Sequence, residues 1–156
     1  MVWEKRHILK HSVFVWLAIV GGLKTTDTLL VRNISMPGTC SLCHSHNESV
    51  SHLFFECSYT FNILTALIPG MNSFLLRPSI LQVLDWVKVH YHGNGKEKNF
   101  YFVLICCAIY HIWKERNGRR FGNTVNCYTT LLYNIKRNIC EKDLKWENSW
   151  ELVELL

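Results

Sequence analysis

The sequence of 156 residues has few acidic residues and lacks the carboxylate pairs on which many metal-dependent enzymes depend. Its three aspartates, Asp27, Asp85 and Asp143, are far apart along the chain. No glycine-rich phosphate-binding loop is present, and no nucleophile and base stand at a spacing typical of a hydrolase. We therefore expect a protein that has no catalytic activity of its own and no small-molecule substrate.

Long apolar segments are also absent. Residues 13–23 and 100–113 are the most apolar stretches, and both are shorter than the roughly 20 residues that a transmembrane helix needs. Lys5, Arg6 and Lys10 accompany the first stretch as they would in a signal peptide, but no small-residue cleavage site follows cleanly. We expect an intracellular protein, in the nucleus or the cytoplasm, that is neither secreted nor bound to a membrane.

The charge of the chain is unevenly distributed. Residues 1–140 contain 15 Lys and Arg against 7 Asp and Glu, whereas residues 141–156 contain 2 against 5. A basic body with an acidic tail favours partners that carry phosphate groups, such as RNA or DNA. Six tryptophans and eight phenylalanines indicate a packed core rather than a disordered chain.

Apolar residues recur at spacings of three and four between proline and glycine breaks, which is typical of amphipathic helices. The sequence therefore predicts a mainly α fold, a small helical domain with an irregular loop over residues 39–47. Cys40 and Cys43 in this polar loop have the spacing of a zinc knuckle. Helices are expected over residues 5–20, 26–31, 49–67, from Pro78 to the turn at Gly93, 97–117 and 125–140, with a short amphipathic helix in the tail.

Two glycine positions are expected to end helices, Gly21 with Gly22 after the first and Gly118 after the fifth. The fifth helix is apolar nearly all round, so it is expected to lie at the centre of the fold. The apolar side of the first helix is expected to contain Ile8, Val15, Trp16 and Ile19.

The cysteines predict a metal site. Their number, seven, is odd, which argues against a fully paired disulfide framework. Cys40 and Cys43 can chelate one ion from a single tight turn, and His52 and Cys57, five residues apart, lie roughly on one face of a predicted helix. Three thiolates and an imidazole suit Zn²⁺ and leave no position for water, so the site is expected to be structural. Buried free thiols are the expectation for Cys106, Cys107, Cys127 and Cys140.

Other interpretations of this cluster remain open at the level of sequence. Cys40 and Cys43 have the spacing of a redox pair, although a polar loop follows them instead of a helix. His44 or His46 stands close enough to replace His52, but is too near Cys43 to close the ligand ring comfortably. The residues could also be ordinary core residues, which their polar surroundings disfavour.

Six stretches of sequence carry a family resemblance. They are Phe14–Trp16, Leu23–Leu29, Arg32, Cys40–Cys43, Glu48 with His52–Cys57, and Ile112–Phe121. Together they resemble the zinc-binding domain that follows the polymerase in plant LINE-type (non-LTR) retrotransposon reverse transcriptases. The resemblance is strong over residues 11–65 and recurs over residues 110–122.

The resemblance implies zinc ligands at Cys40, Cys43, His52 and Cys57, and it implies nucleic-acid binding. It suggests a zinc-binding domain over residues 1–68, truncated at its N-terminus. A helical C-terminal extension over residues 69–156 would pack on it, with the acidic tail from residue 141. Because the carboxylates of a polymerase or ribonuclease H centre are missing, we expect an accessory module or a retrotransposon-derived remnant.

A basic cluster offers a candidate surface for RNA or DNA. Its cations are Lys114, Arg116, Arg119 and Arg120, and Trp113 and Phe121 flank them. Arginines beside aromatic rings can contact phosphates and stack on bases. Each cation taken singly is slightly better explained as a helix C-cap, whereas the cluster as a whole favours weak, non-specific binding. The alternative function is a protein–protein interaction or self-association module that does not bind nucleic acid.

Overall fold

The computed structural model describes residues 8–73, 78–91, 95–122 and 124–143. Its helices are α1 (Leu9–Ile19), α2 (Thr26–Val31), α3 (Ser58–Leu67), α4 (Ile80–His90), α5 (Gly95–Phe121) and α6 (Tyr128–Asp143). A π-helical turn, His52–Glu56, precedes α3, and a 3-10 turn, Met71–Ser73, follows it. Within these ranges the only strand-like pairing is a single antiparallel bridge between Thr39 and Asn47. The prediction of a mainly α fold is confirmed.

Helix α5 lies at the centre of the fold, as its apolar sequence predicts. Every residue from Phe100 to Ile109 is at most 7% exposed. Helices α1, α3, α4 and α6 all pack against α5. The resulting core includes Val15 of α1, Ile63 of α3 and Ile135 of α6, so the segments before and after residue 68 share one apolar interior.

The buried face of α1 differs from the predicted one. Its buried residues are His11, Ser12, Val15 and Ala18. Trp16 was expected on the buried side, yet its side chain is 47% exposed. Two polar residues take the inner positions because His11 stacks on Tyr110 of α5, with the ring centroids 4.4 Å apart. After Ile19 the chain turns through Gly21, which has a φ of 69° as the predicted glycine break requires.

The single helix predicted over residues 49–67 is wrong. Cys57 has extended backbone angles, with φ −68° and ψ 128°, and it separates the π turn from α3. Its amide donates to the carbonyl oxygen of His52 at 2.8 Å, five residues earlier, where an α-helix would bond four residues back. The apolar spacing that suggested one helix continues across this break, so sequence periodicity does not reveal it.

Gly118 does not end α5, which continues to Phe121. A Cβ atom at this position would lie 2.3 Å from Thr124 Oγ1, and Thr124 N donates to the Gly118 carbonyl oxygen at 3.2 Å. The glycine therefore serves the close return of the chain after α5 and not the termination of the helix.

Helix α4 starts two residues later than predicted. Ser79 is its N-cap and forms a capping box with Gln82, in which each side chain accepts from the other residue's amide. Pro78 therefore precedes the cap and is not the first helical residue. Ser79 is a better start because its hydroxyl satisfies a helix amide that has no partner inside the helix.

Two expectations concern parts of the chain that the structure covers incompletely. The tail helix is predicted from residue 141; residues 141–143 instead form the end of α6, and the rest of the tail, residues 144–156, lies outside the described ranges. None of the described helices is both long and apolar enough to cross a membrane.

Cys127 is exposed rather than buried, since it precedes α6 in a surface segment.

The central position of α5 gives a stability prediction. Replacing Leu104, which is fully buried, with alanine should lower the free energy of unfolding by about 2–5 kcal/mol, because the removed methyl groups leave a cavity. Leu81→Ala in α4 is the matched control, since Leu81 is 54% exposed, and a change within about 0.5 kcal/mol is expected. Urea unfolding followed by circular dichroism measures both. Equal losses in the two variants would contradict the central role of α5.

Candidate metal centre

The loop that carries Cys40 and Cys43 is a tight turn closed by backbone hydrogen bonds. Cys40 N donates to the carbonyl oxygen of His46 at 2.8 Å, and His44 N donates to that of Cys40 at 2.9 Å. The Leu42 amide lies 3.4 Å from Cys40 Sγ, so a backbone dipole stabilises negative charge on that sulfur. His44 adopts a φ of 55°, which lets the chain reverse directly after Cys43.

The π turn supplies the other two side chains. Its wide hydrogen-bonded ring places His52 and Cys57, five residues apart, on the same side of the turn. An ideal α-helix would rotate two such positions by about 500°, leaving them some 140° apart around the axis. The predicted juxtaposition of these residues is therefore present, but it is produced by a different backbone geometry.

The structure brings together the four predicted metal-binding residues. The ligand atoms of Cys40, Cys43, His52 and Cys57 all lie within 4.8 Å of one another. Cys43 Sγ is 3.3 Å from His52 Nε2, close to the roughly 3.5 Å that separates sulfur and nitrogen ligands of one tetrahedral zinc ion. Three sulfurs and one nitrogen around a largely buried point fit Zn²⁺.

The alternative histidine ligands do not take part in this cluster. His44 and His46 are both exposed, and His46 contacts the His52 ring at a centroid distance of 5.5 Å. The second ring nitrogen of His52, Nδ1, lies 4.0 Å from the Glu56 carboxylate. A carboxylate on that side favours the tautomer that leaves Nε2 available to a metal.

The electrostatics of the site suit a cation. The thiol of Cys40 donates a hydrogen bond to Cys57, which raises the pKa of Cys40 and lowers the pKa of Cys57. Burial lowers the pKa of His52, so its imidazole is neutral at pH 7, as a metal ligand must be. A bound Zn²⁺ would replace the proton between the two sulfurs and stabilise both as thiolates.

Comparison with known proteins agrees with this geometry. Residues 1–63 match the family described as zinc-binding in reverse transcriptase. No curated protein and no solved structure shows a significant match to the chain. The reverse-transcriptase zinc-binding match includes the tight turn, the π turn and about half of α3, and it ends before α4.

Glu48 is the main residue of this region whose role the sequence did not reveal. It lies between Cys43 and His52 and is 1% exposed. Its carboxylate accepts a hydrogen bond of 3.0 Å from the amide of Thr26, at the start of α2. The amide of Glu48 donates to the Gly38 carbonyl oxygen at 2.8 Å. A buried carboxylate requires charged or polar partners, and the main partner of Glu48 is a residue of α5.

Arg116 is that partner. Its Nε lies 3.0 Å from Glu48 Oε2, and its Nη2 donates to Oε1, which makes the contact bidentate. Nη2 also donates to the carbonyl oxygen of Lys24 at 3.2 Å, and the guanidinium lies 4.8 Å from the ring centre of Trp113. The arginine is only 1% exposed, so its side chain joins α5 to the metal-binding loop from within.

Arg119 and Arg120 extend this attachment. Arg119 Nη1 donates to the Leu42 carbonyl oxygen at 3.1 Å, and its Nε lies 2.8 Å from Glu115 Oε1. Arg120 donates to the carbonyl oxygens of Pro37 and Thr39 at 3.0 and 2.9 Å. We call Arg116, Arg119 and Arg120 the arginine clamp, because all three hold the loop against the end of α5.

The basic cluster predicted from the sequence is thus divided by the structure. The arginine clamp donates its hydrogen bonds within the protein, whereas Lys114 is exposed. The signal that could have revealed the clamp is its spacing, since positions 116, 119 and 120 share one helix face. Glu48 gives no comparable local signal, because its partner is 68 residues away.

The metal centre predicts a specific loss on mutation. Cys43→Ala should remove one equivalent of zinc per chain and make unfolding less cooperative, because metal binding orders the loop. Cys127→Ala is the matched control: Cys127 is exposed and outside the cluster, so its zinc content should equal that of the wild type. Elemental analysis of protein purified with excess zinc and then desalted measures the difference. Equal zinc in all three proteins would exclude the predicted site.

The buried ion pair gives a second prediction. Arg116→Ala should lower the free energy of unfolding by about 3–5 kcal/mol, because it leaves the Glu48 carboxylate buried without its partner. The control is Arg137→Ala, whose ion pair with Glu141 is 62% and 58% exposed on its two sides, and a loss below about 1 kcal/mol is expected. Chemical denaturation of zinc-loaded protein compares the two. Similar losses of unfolding free energy in the two variants would mean that the buried Arg116 contact contributes no more to stability than the exposed Arg137 contact.

Proposed function

We propose that this chain is a non-catalytic zinc-binding module derived from a LINE-type retrotransposon reverse transcriptase, of plant origin, whose activity is weak and non-specific binding of RNA or DNA. The observation that carries the proposal is the Cys3His cluster in a segment matching zinc-binding in reverse transcriptase. In this view zinc orders the loop, and the helices provide the surface.

The coordination supports a structural role for the metal. The four protein ligands Cys40, Cys43, His52 and Cys57 would complete a tetrahedron around Zn²⁺ and would leave no position for a water or a substrate. The two carboxylates nearest in sequence are also engaged, since Glu48 binds Arg116 and Glu56 faces His52. A hydrolytic zinc centre would need an open position and an available general base.

A cleft beside α5 offers the best surface for a nucleic acid. Its volume is about 990 Å³, and its lining includes residues from α5 and α6 as well as Lys24 and Leu29. Lys24 and Lys114 place two exposed ammonium groups there, and Phe121 adds an aromatic ring that is 65% exposed. Asn117, Asn134 and Asn138 also line the cleft. Ammonium groups bind phosphates, and an exposed ring can stack on a base.

The charges of the cleft agree with weak binding. Arg137 is paired with Glu141 at 3.0 Å, and Arg116 is neutralised by Glu48. The lysines therefore carry most of the attraction for phosphate. With few phosphate contacts, affinity should be low and should fall as salt rises, because each contact releases counterions.

The lysines of the cleft give a test of this function. Lys24→Glu/Lys114→Glu should weaken binding of a labelled 20-nucleotide single strand at least about tenfold at low salt and flatten the salt dependence. Lys88→Glu/Lys98→Glu is the control, since it changes the net charge equally at positions outside the cleft lining. Fluorescence anisotropy over a salt series measures both, with RNA and DNA strands of one sequence.

Two outcomes would contradict the proposal. Equal weakening in both variants would show that net charge, and not the cleft, attracts the strand. An absence of binding by the wild type would favour the self-association alternative. That alternative is supported by exposed apolar residues on and directly after α1, namely Leu9, Trp16 and the C-cap residue Val20. Sedimentation over a concentration series would then show whether the chain dimerises.

A further inference from the structure

A second group of metal-binding side chains lies between α1 and α5, outside the Cys3His cluster. Cys107 and His111 are four residues apart on α5, so they project from the same helix face one turn apart. His11 faces them from α1. The ligand atoms of the three residues all lie within 4.8 Å of one another. Two helices thus bring two imidazoles and one thiol to one point in the interior.

The surroundings of this group are polar in a way that core packing does not explain. His111 Nε2 is buried and has no hydrogen-bond partner among the residues that the structure describes. Leaving a buried polar atom without a partner costs free energy, which is usually avoided in native structures. A bound cation would give His111 Nε2 the partner that these residues do not supply.

The two imidazole rings pack against aromatic neighbours between α1 and α5. His11 stacks on Tyr110 at a centroid distance of 4.4 Å, and its ring meets that of His111 at 6.0 Å with an angle of 70° between the planes. Burial lowers the pKa of His111 to about 4, so its imidazole is neutral at pH 7. Burial raises the pKa of Cys107 to about 12, so a metal must displace the thiol proton on binding.

We propose that His11, Cys107 and His111 form a second metal site, which binds one Zn²⁺ ion through two nitrogens and one sulfur. Ligands of a tetrahedral zinc ion are separated by about 3.3–3.6 Å, so the three ligand atoms, which lie within 4.8 Å of one another, would have to approach by up to about 1.5 Å. Side-chain rotation can supply that movement. Three protein ligands leave one position for a small exogenous ligand.

The proposal has a consequence for packing. The ion would join α1 to the central helix α5 in the same way that the Cys3His cluster joins the tight turn to the π turn. A bound metal ion would explain why the polar residues His11 and Ser12 lie on the buried face of α1. This inference does not depend on nucleic-acid binding or on the first metal site.

Metal stoichiometry tests it directly. The full chain is purified without affinity metals, saturated with Zn²⁺, desalted and analysed for zinc per chain. Two equivalents are expected for the wild type and one for Cys107→Ala. Cys106→Ala is the matched control, because Cys106 is the neighbouring buried cysteine on α5 and lies outside the group, so it should retain two equivalents.

A second measurement covers the case in which Cys107→Ala fails to fold. Wild-type protein loaded with one equivalent of zinc is titrated with Co²⁺, and binding of a further equivalent with a thiolate charge-transfer band is expected. His111→Gln should abolish that band, whereas substitution of the exposed His44 by glutamine should leave it. No second equivalent in the wild type, or a second equivalent unchanged in Cys107→Ala and His111→Gln, would overturn the proposal. Loss of zinc from Cys43→Ala reports the first site separately.

Discussion

The contact between Glu48 and Arg116 is the interaction on which the arrangement of the chain around the metal centre depends. It buries one carboxylate and one guanidinium completely and places them between the loop, the start of α2 and the end of α5. Such a pair is a costly way to gain stability, because both charges lose their hydration. Its value lies in geometry: the bidentate contact, with Arg119 and Arg120 beside it, fixes where the loop sits on the helix.

Local sequence patterns were sufficient to predict that Cys40, Cys43, His52 and Cys57 come together, but not the backbone that presents them. Cys40 and Cys43 stood out because thiols in a polar loop have little reason to be there except to bind a metal. The spacing of His52 and Cys57 indicates two ligands of one site, but the apolar periodicity of residues 49–67 predicts an α-helix there, because it does not distinguish a π turn from an α turn. The apolar periodicity of the sequence predicted which segments form helices, but it did not predict where each helix begins and ends. The end of α5 depends on the contact between Gly118 and Thr124, whereas the start of α4 has a local signal in the capping box of Ser79 and Gln82.

Long-range pairing was the part that sequence alone could not give. Arg116 looked like a surface cation because it stands among Lys114, Arg119 and Arg120 near a helix end. Its partner lies 68 residues earlier in a loop whose conformation depends on the turn around it. The same limit applies to His11 and His111, which belong to no motif and meet only because α1 packs on α5. Residues whose role depends on a tertiary contact produce no periodic pattern in the sequence.

The π turn makes the metal centre sensitive to the length of the chain more than to the identity of its side chains. Leu53, Phe54 and Phe55 fill the core between the two ligands, and other apolar residues of similar volume would fill it as well. Inserting one residue into this segment would rotate the imidazole by about 100° relative to Cys57 and separate the two ligands. Homologous chains that retain the site are therefore expected to vary in composition between His52 and Cys57 while keeping four residues between them.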